Sequence, residues 1–283
     1  MRKHILRTSD WLLPPAIFRL LTYYKPSALA FYLSHLDVLR SNRQLHNRHA
    51  GERCFIMCNG PSVNEQDIRP LAGETVFSVS NGYRHPDYLS IHPRYHCIPQ
   101  ISYNTLPPEK TIEWFTEMNQ LIGDAEIFLD RQEWGLVQEH GLFTGRAAHF
   151  VCMGKNQFPS GNAVPELTGI IPRVQTVPIM VLMIALYMGF REIYLLGVDH
   201  DWFVKKEYRY FYGDGVTTAD STLASDGRLL TTLWDELPAV RKVWEQYRAI
   251  KRIAQANGAR IYNATHGGML DEFERVRLED AVK

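Results

Sequence analysis

Neither sign of charge prevails in this chain: 31 Lys and Arg stand against 31 Asp and Glu over 283 residues. No global field gathers nucleic acid, so an anionic ligand must be held by local donors. No stretch approaches the ~20 uninterrupted apolar residues of a membrane span, and no secretory apolar region with a small-residue cleavage site follows Met1-Arg2-Lys3, so export by that route is not expected. The 4 cysteines, Cys54, Cys58, Cys97 and Cys152, lie in or beside apolar runs and lack the paired spacing of a zinc site. They read as buried free thiols in a reducing compartment, and no metal is expected.

A hydrophobic content of 45% in a chain of this length supports one large core or two modest ones. Trp11 to Leu36 mixes Trp, Phe, Tyr and Leu with Arg19, Lys25 and His35. That pattern suits an amphipathic helix at a membrane surface, or equally an arm packed on the catalytic body or on a second subunit. The basic, polar stretch Arg40 to Gly51 reads as a linker or a solvated helix end. The expected organisation is an N-terminal helical arm over 1–50 and an α/β body over 51–283. The expected location is cytoplasmic, with peripheral contact to the inner face of the cytoplasmic membrane if the arm binds lipid.

Within the body, Arg53 to Cys58 is a short apolar run flanked by turn signals, and Asn64 to Leu71 can form one or two helical turns. Thr75 to Ser80 and Tyr95 to Pro99 read as further strands. Lys110 to Ile122 reads as a helix with Ile112, Phe115, Met118 and Leu121 on one stripe, followed by a strand over Ala125 to Leu129. Gly141 to Pro172 reads as loops around one strand at Ala147 to Cys152. Thr176 to Gly189 is an almost wholly apolar helix with Pro178 in its first turn and Gly189 as its stop. Arg191 to Asp199 follows as a central strand apolar enough to be buried on both faces. Residues 204–233 are too long for an ordinary connection and suggest a lid. Leu237 to Asn257 forms an amphipathic helix, and Ala259 to Asn263 closes the sheet. Strands alternating with helices predict a doubly wound, mainly parallel Rossmann-like sheet.

Ligands of such sheets bind beyond the carboxyl ends of the strands. The residues after each strand are therefore the candidates: Asn59, Gly60, Pro61 and Ser62; Asn81 to Arg84, including Tyr83; Pro99 to Asn104; Asp199, His200, Asp201 and Trp202; and Thr265 to Gly268. Asn59-Gly60-Pro61-Ser62 offers close backbone approach, a fixed turn, a hydroxyl and N–H groups near a helix start, which together suit a phosphate. A plain strand-to-helix turn with Ser62 as its cap fits equally. The loop has neither the Gly-x-Gly-x-x-Gly spacing nor the Lys-Ser/Thr of a P-loop, which disfavours NAD and Walker-type ATP sites. Asn81 can pair with a base edge or a sugar hydroxyl, or simply end an Asn-Gly turn. His200 and His266 are both candidate bases, with Asp199 and Asp201 as orienting carboxylates. Tyr208, Tyr210 and Tyr212 share one face if the lid is extended, and phenols can donate to a phosphate.

Together Arg53 to Ser62, the strand ending at Asn81, the block Thr176 to Asp199 with its Leu-Leu-Gly-Val-Asp ending, and Ala259 to Asn263 resemble the bacterial sialyltransferases of glycosyltransferase family 42. They also resemble the wider 6-hydroxymethylpterin diphosphokinase-like family found among polysaccharide-assembly proteins. The resemblance spans roughly 200 residues and implies a GT-A-like variant of the Rossmann sheet. It implies donor binding by Asn59, Gly60, Ser62 and Asn81, and a leaving phosphate held by Tyr210 and Tyr212. It also implies a CMP-activated acidic sugar as donor substrate, a surface glycan or lipid-linked acceptor, metal-independent inverting displacement and no cofactor. Two departures stand out. The family's Arg-x-Thr-Ser-Gly-like segment is replaced by Arg173 to Pro178, and no histidine occurs between Phe203 and Gly258. The base is then His200, His266, a carboxylate such as Asp201, or another group. Transfer of diphosphate from Mg-ATP to a pterin, and a non-catalytic nucleotide- or glycan-binding subunit, are the competing readings.

Overall fold

The computed structural model describes residues 36–99, 106–154, 158, 161–204, 210–213 and 232–283. The amphipathic segment expected before residue 36, most of the expected lid and Tyr208 lie outside the described residues. In chain order the elements are α1 (Leu36–Arg40), β1 (Arg53–Met57), β2 (Val76–Val79), α2 (Tyr88–Ile91), β3 (Tyr95–Cys97), α3 (Pro108–Leu121), β4 (Glu126–Asp130) and α4 (Trp134–Glu139). They continue with β5 (Ala148–Met153), β6 (Ile170–Ile171), α5 (Val177–Tyr187), β7 (Glu192–Leu196), α6 (Leu233–Ala256), β8 (Arg260–Asn263), β9 (Glu274–Arg275) and α7 (Leu278–Ala281).

The strands form one 9-stranded sheet in the order β6-β5-β4-β3-β2-β1-β7-β8-β9. Every neighbouring pair is parallel. From β1 the chain steps outward in one direction to β6, then crosses back to the other side of β1 and steps outward as β7, β8 and β9. The doubly wound Rossmann-like architecture follows, with its topological switch point between β1 and β7.

Two-residue alternation assigns the core. Cys54, Ile56, Ile193 and Leu195 enter one hydrophobic cluster with α5 and the inner stripe of α6. Phe55, Met57, Tyr194 and Leu196 enter the opposite cluster with Trp114, Phe115 and Met118 of α3. Helix α5 is apolar all round because every residue from Pro178 to Tyr187 is buried. No helix among the described residues is long and apolar enough to cross a membrane.

Several expectations need correction. The stretch Arg40 to Gly51 is docked rather than a solvated linker: Leu39 and Leu45 are buried, and the buried Asn42 Nδ2 donates to the carbonyls of Phe150 (2.7 Å) and Leu167 (2.9 Å). The N–H groups of Asn47, His49 and Gly51 donate to the carbonyls of Tyr187, Met188 and Gly189, so this segment caps the C-terminus of α5. The one or two helical turns expected over Asn64 to Leu71 take the form of 3-10 turns over Pro61–Glu65 and Arg69–Leu71, the first starting three residues earlier. The buried face of α3 is Thr111, Trp114, Phe115 and Met118, with Trp114 donating to Asn81; Ile112 is only half-buried, and Leu121, the last residue of the helix, is exposed. Helix α6 begins at Leu233, four residues before the expected start, where Thr232 and Asp235 form a capping box; Pro238 is accommodated inside. Helix α4 and the two-residue edge strands β6 and β9 were not anticipated.

At the amino ends of β3, β4 and β5, Glu126 accepts from Arg48 Nη1 (2.7 and 2.9 Å) and pairs with Nε2 of the buried His149 (2.7 Å). Burial pushes the Glu126 carboxyl up, but these hydrogen bonds and charges outweigh it and hold the group down at about 2. A depressed carboxylate stabilises the fold above its unfolded value and loses that contribution as pH falls through its folded value. Between pH 4.5 and about 2 the network should therefore lose on the order of 3 kcal/mol. Urea unfolding at pH 7 and near pH 2.5 should show this loss in the wild type and a smaller one in Glu126→Gln. Equal pH sensitivity of the two proteins would refute it.

Candidate functional site at the switch point

The loops that follow β1, β2, β7 and β8 meet at the carboxyl edge of the sheet. Backbone ties knit the first pair: Cys58 N–H donates to Leu196 O and Gly60 N–H to Gly197 O, both at 2.9 Å. Gly197 has φ +63, and a Cβ there would lie 2.6 Å from Cys58 O, so only glycine lets the two strand ends touch. The Asn59–Ser62 loop thus sits between two central strands.

Asp199 is the hub. Its buried carboxylate accepts Ser62 Oγ at 2.8 Å and Ser62 N–H at 3.3 Å. Its carbonyl accepts Met269 N–H at 2.6 Å, and Gly268 passes so close that a Cβ would fall 2.6 Å from the same oxygen. Arg275 holds this Gly-Gly loop from the outside by donating to the carbonyls of Gly267 (2.5 Å), Gly268 (2.9 Å) and Leu270 (3.2 Å).

This geometry changes the reading of the loop. Its expected donors are already used: Gly60 N–H on Gly197, Ser62 N–H and Oγ on Asp199, and Val63 N–H on Gly60 O at 3.2 Å. Pro61 has no N–H. A buried carboxylate stands where a phosphate cradle would need positive potential. The loop instead offers acceptors, among them the buried Asn59 Oδ1, which no hydrogen-bond donor among the described residues reaches. Such an atom suits a ligand hydroxyl or amine.

The other candidates divide by exposure. Asn81 is fully buried, and its Oδ1 accepts the Trp114 indole N–H at 2.7 Å, so in this arrangement it braces the loop after β2. Tyr83 is buried beside His96, with the Arg84 guanidinium over its ring. Thr265 is buried and accepts Val198 N–H at 3.1 Å, joining the ends of β7 and β8. Asp201 is buried as well. His200, at φ +48, packs among Trp202, Trp244 and Tyr247, and its Nε2 pairs with Tyr247 OH at 2.7 Å. Burial lowers its pKa to about 3, which makes it a weak proton acceptor. His266 differs: its side chain is 63% exposed, Nε2 lies 3.5 Å from Glu65 Oε2, and its backbone N–H donates to Gln66 Oε1 at 3.2 Å.

Residues 210–213 form a tight turn, not an extended segment, closed by Gly213 N–H on Tyr210 O at 3.0 Å. The rings of Tyr210 and Tyr212 stack at 5.3 Å. Phe211 N–H donates to Asn59 O at 3.1 Å, and Asn64 Nδ2 donates to Phe211 O at 3.0 Å, so the turn is seated on the loop after β1. The Phe211 ring also packs on His85, 5.5 Å between centroids. The sequence reading stopped at Arg84 and missed His85, which follows it directly; the signal was a His-Pro-Asp turn after a strand end. Among the described residues no group of three or more His, Cys, Asp or Glu could hold a metal ion.

No family model and no curated protein matches the chain. Among solved structures it is similar to the sialyltransferase CST-II in complex with a trisaccharide acceptor and CMP, at TM-score 0.46 and 15% identity, covering 80% of this chain and 86% of that one. It is also similar to the sialyltransferase CstII from Campylobacter jejuni in complex with the substrate analogue cytidine-5'-monophosphate, at TM-score 0.43 and 16% identity, over 80% and 85% of the two chains.

Proposed function

We propose that this protein is a glycosyltransferase of sialyltransferase-like type, moving a sugar from a CMP-type donor to a surface-glycan or lipid-linked acceptor by metal-independent inverting displacement. The observation that carries the reading is the seating of the Asn59–Ser62 loop at the switch point, locked to Asp199 on one side and covered by the Tyr210–Gly213 turn on the other. The resemblance of the Asn-Gly-Pro-Ser motif supports the choice of a cytidine nucleotide.

In this reading Asn59 Oδ1 accepts from a donor hydroxyl or amine, while Gly60, Pro61, Ser62 and Asp199 keep the loop in shape. Asn81, Tyr83 and Thr265 support it from beneath. Tyr210 and Tyr212 stand beside the leaving phosphate as hydrogen-bond donors. His266 takes the proton of the acceptor hydroxyl as the sugar leaves with inversion, oriented by Glu65. Its accessibility supports this assignment over the enclosed His200. Use of the Asp199 carboxylate by Ser62 weighs against Asp199 as a magnesium ligand in an ATP-dependent diphosphokinase.

Thermal shift against CMP, UDP, GDP and ATP, each with and without magnesium, tests the reading. CMP should raise Tm by several degrees without magnesium. A shift with Mg-ATP and none with CMP would overturn the proposal. Binding of CMP without release of CMP from a CMP-activated acidic sugar would instead favour a non-catalytic binding subunit.

A further inference from the structure

Gly60, Ser62 and Val63 of the loop after β1 have spent their N–H groups, so an anionic group beside this loop gains from donors elsewhere. His85 is one such donor. It ends the 3-10 turn Gly82–Arg84 after β2, is only 7% exposed, and lies against Phe211, whose backbone is bonded to Asn59. Asp87 N–H donates to His85 Nδ1 at 3.2 Å. A backbone N–H can only donate, so Nδ1 carries the lone pair and the proton of the neutral ring is on Nε2. No protein group among the described residues accepts from that Nε2–H.

A second proton would have to enter at Nδ1, against the Asp87 N–H. Burial also lowers the pKa of the ring, and the Asp87 carboxylate offsets this only in part. The imidazole is therefore held neutral with one oriented N–H left over. The charged neighbour on its own turn is Asp87; the Arg84 guanidinium lies over Tyr83 and is turned toward Glu117.

We infer that His85 donates its Nε2–H to a phosphate oxygen of the bound nucleotide, beside the Phe211 turn that is seated on Asn59. The inference rests on the nucleotide-donor reading above. It assigns to His85 a role in holding negative charge on the leaving phosphate, complementary to the acceptor atoms of Asn59.

The experiment has two stages on the full chain. First, long-range 15N–1H correlation spectra, with His85 assigned by comparison with His85→Gln, should show the Nε2–H tautomer of the neutral ring. Second, CMP and cytidine affinities are measured by calorimetry for wild type, His85→Phe and His85→Gln. His85→Phe should weaken CMP about tenfold while leaving cytidine unchanged, and His85→Gln, whose amide N–H reaches the same place, should keep CMP within a few-fold. An Nδ1–H tautomer, an unchanged CMP affinity in His85→Phe, or equal losses for CMP and cytidine would each overturn the inference alone. If the wild type binds neither CMP nor cytidine, the nucleotide reading falls and takes the inference with it.

Discussion

Gly60→Ala should destabilise the fold by about 3 kcal/mol or more, among the largest effects available to a one-methyl change. The backbone of Gly60, at φ −61 and ψ 149, is ordinary for any residue, so no conformational strain is involved. The cost is steric: a Cβ would lie 1.8 Å from Asp199 Oδ2 and 2.6 Å from both Asp199 Cγ and Gly197 O. Neither obstacle can retreat cheaply. Asp199 is pinned by Ser62 and Met269, and Gly197 is pressed against Cys58 O and Val63. Denaturant unfolding followed by fluorescence gives the number. Gly135→Ala in α4 is the control: nothing lies within 4 Å of its Cβ, and it should be stabilised by about 0.5–1 kcal/mol as a helical alanine. A Gly60→Ala protein as stable as the wild type would mean that the Gly60–Asp199 contact does not exist in solution, and with it the arrangement of the site.

The same contact shows what was legible in the sequence. The apolar run of β1, the unbroken apolar helix α5 closed at Gly189, and the β7 run that follows each announce their type locally, which sets the loops after β1 and β7 at the carboxyl ends of strands. The position of Asn59–Ser62 was therefore readable. Its chemistry was not, because Ser62 spends its N–H and hydroxyl on Asp199, 137 residues further on, and Gly60 spends its N–H on Gly197. A loop judged alone presents free N–H groups; only tertiary pairing reveals that they are spent. Arg40 to Gly51 misled for a related reason: most of its side chains are exposed, but Asn42, Leu45 and His49 are buried and the N–H groups of Asn47, His49 and Gly51 cap α5 across the fold. The start of α6 was different, since the Thr232 and Asp235 capping pair is local and was present in the sequence. Edge strands of two residues, such as β6 and β9, carry too little pattern to be seen.

Substitution of the two histidines should separate a proton acceptor from a packing residue. His266→Ala is expected to lower the rate of CMP release from a CMP-activated acidic sugar by about 10²–10⁴-fold, the usual share of general-base catalysis, with Tm nearly unchanged because the side chain is exposed. Added imidazole should restore part of the rate. His200→Ala should do the reverse. It leaves the buried Tyr247 hydroxyl without its Nε2 partner and opens the cluster of Trp202 and Trp244, costing about 1–3 kcal/mol of stability, while turnover per folded molecule stays within a few-fold. The asymmetry follows from proton affinity and access together. A ring held at about 3 by burial gives little driving force for removing a proton from a hydroxyl, and its Nε2 is already engaged. His266 has an open ring, a carboxylate within 3.5 Å, and a backbone anchored to Gln66 and, through Gly268, to the Asp199 hub. Turnover unchanged in both variants would move the base to a carboxylate, with Asp201 the first to substitute; loss in His200→Ala at equal folded fraction would reverse the assignment.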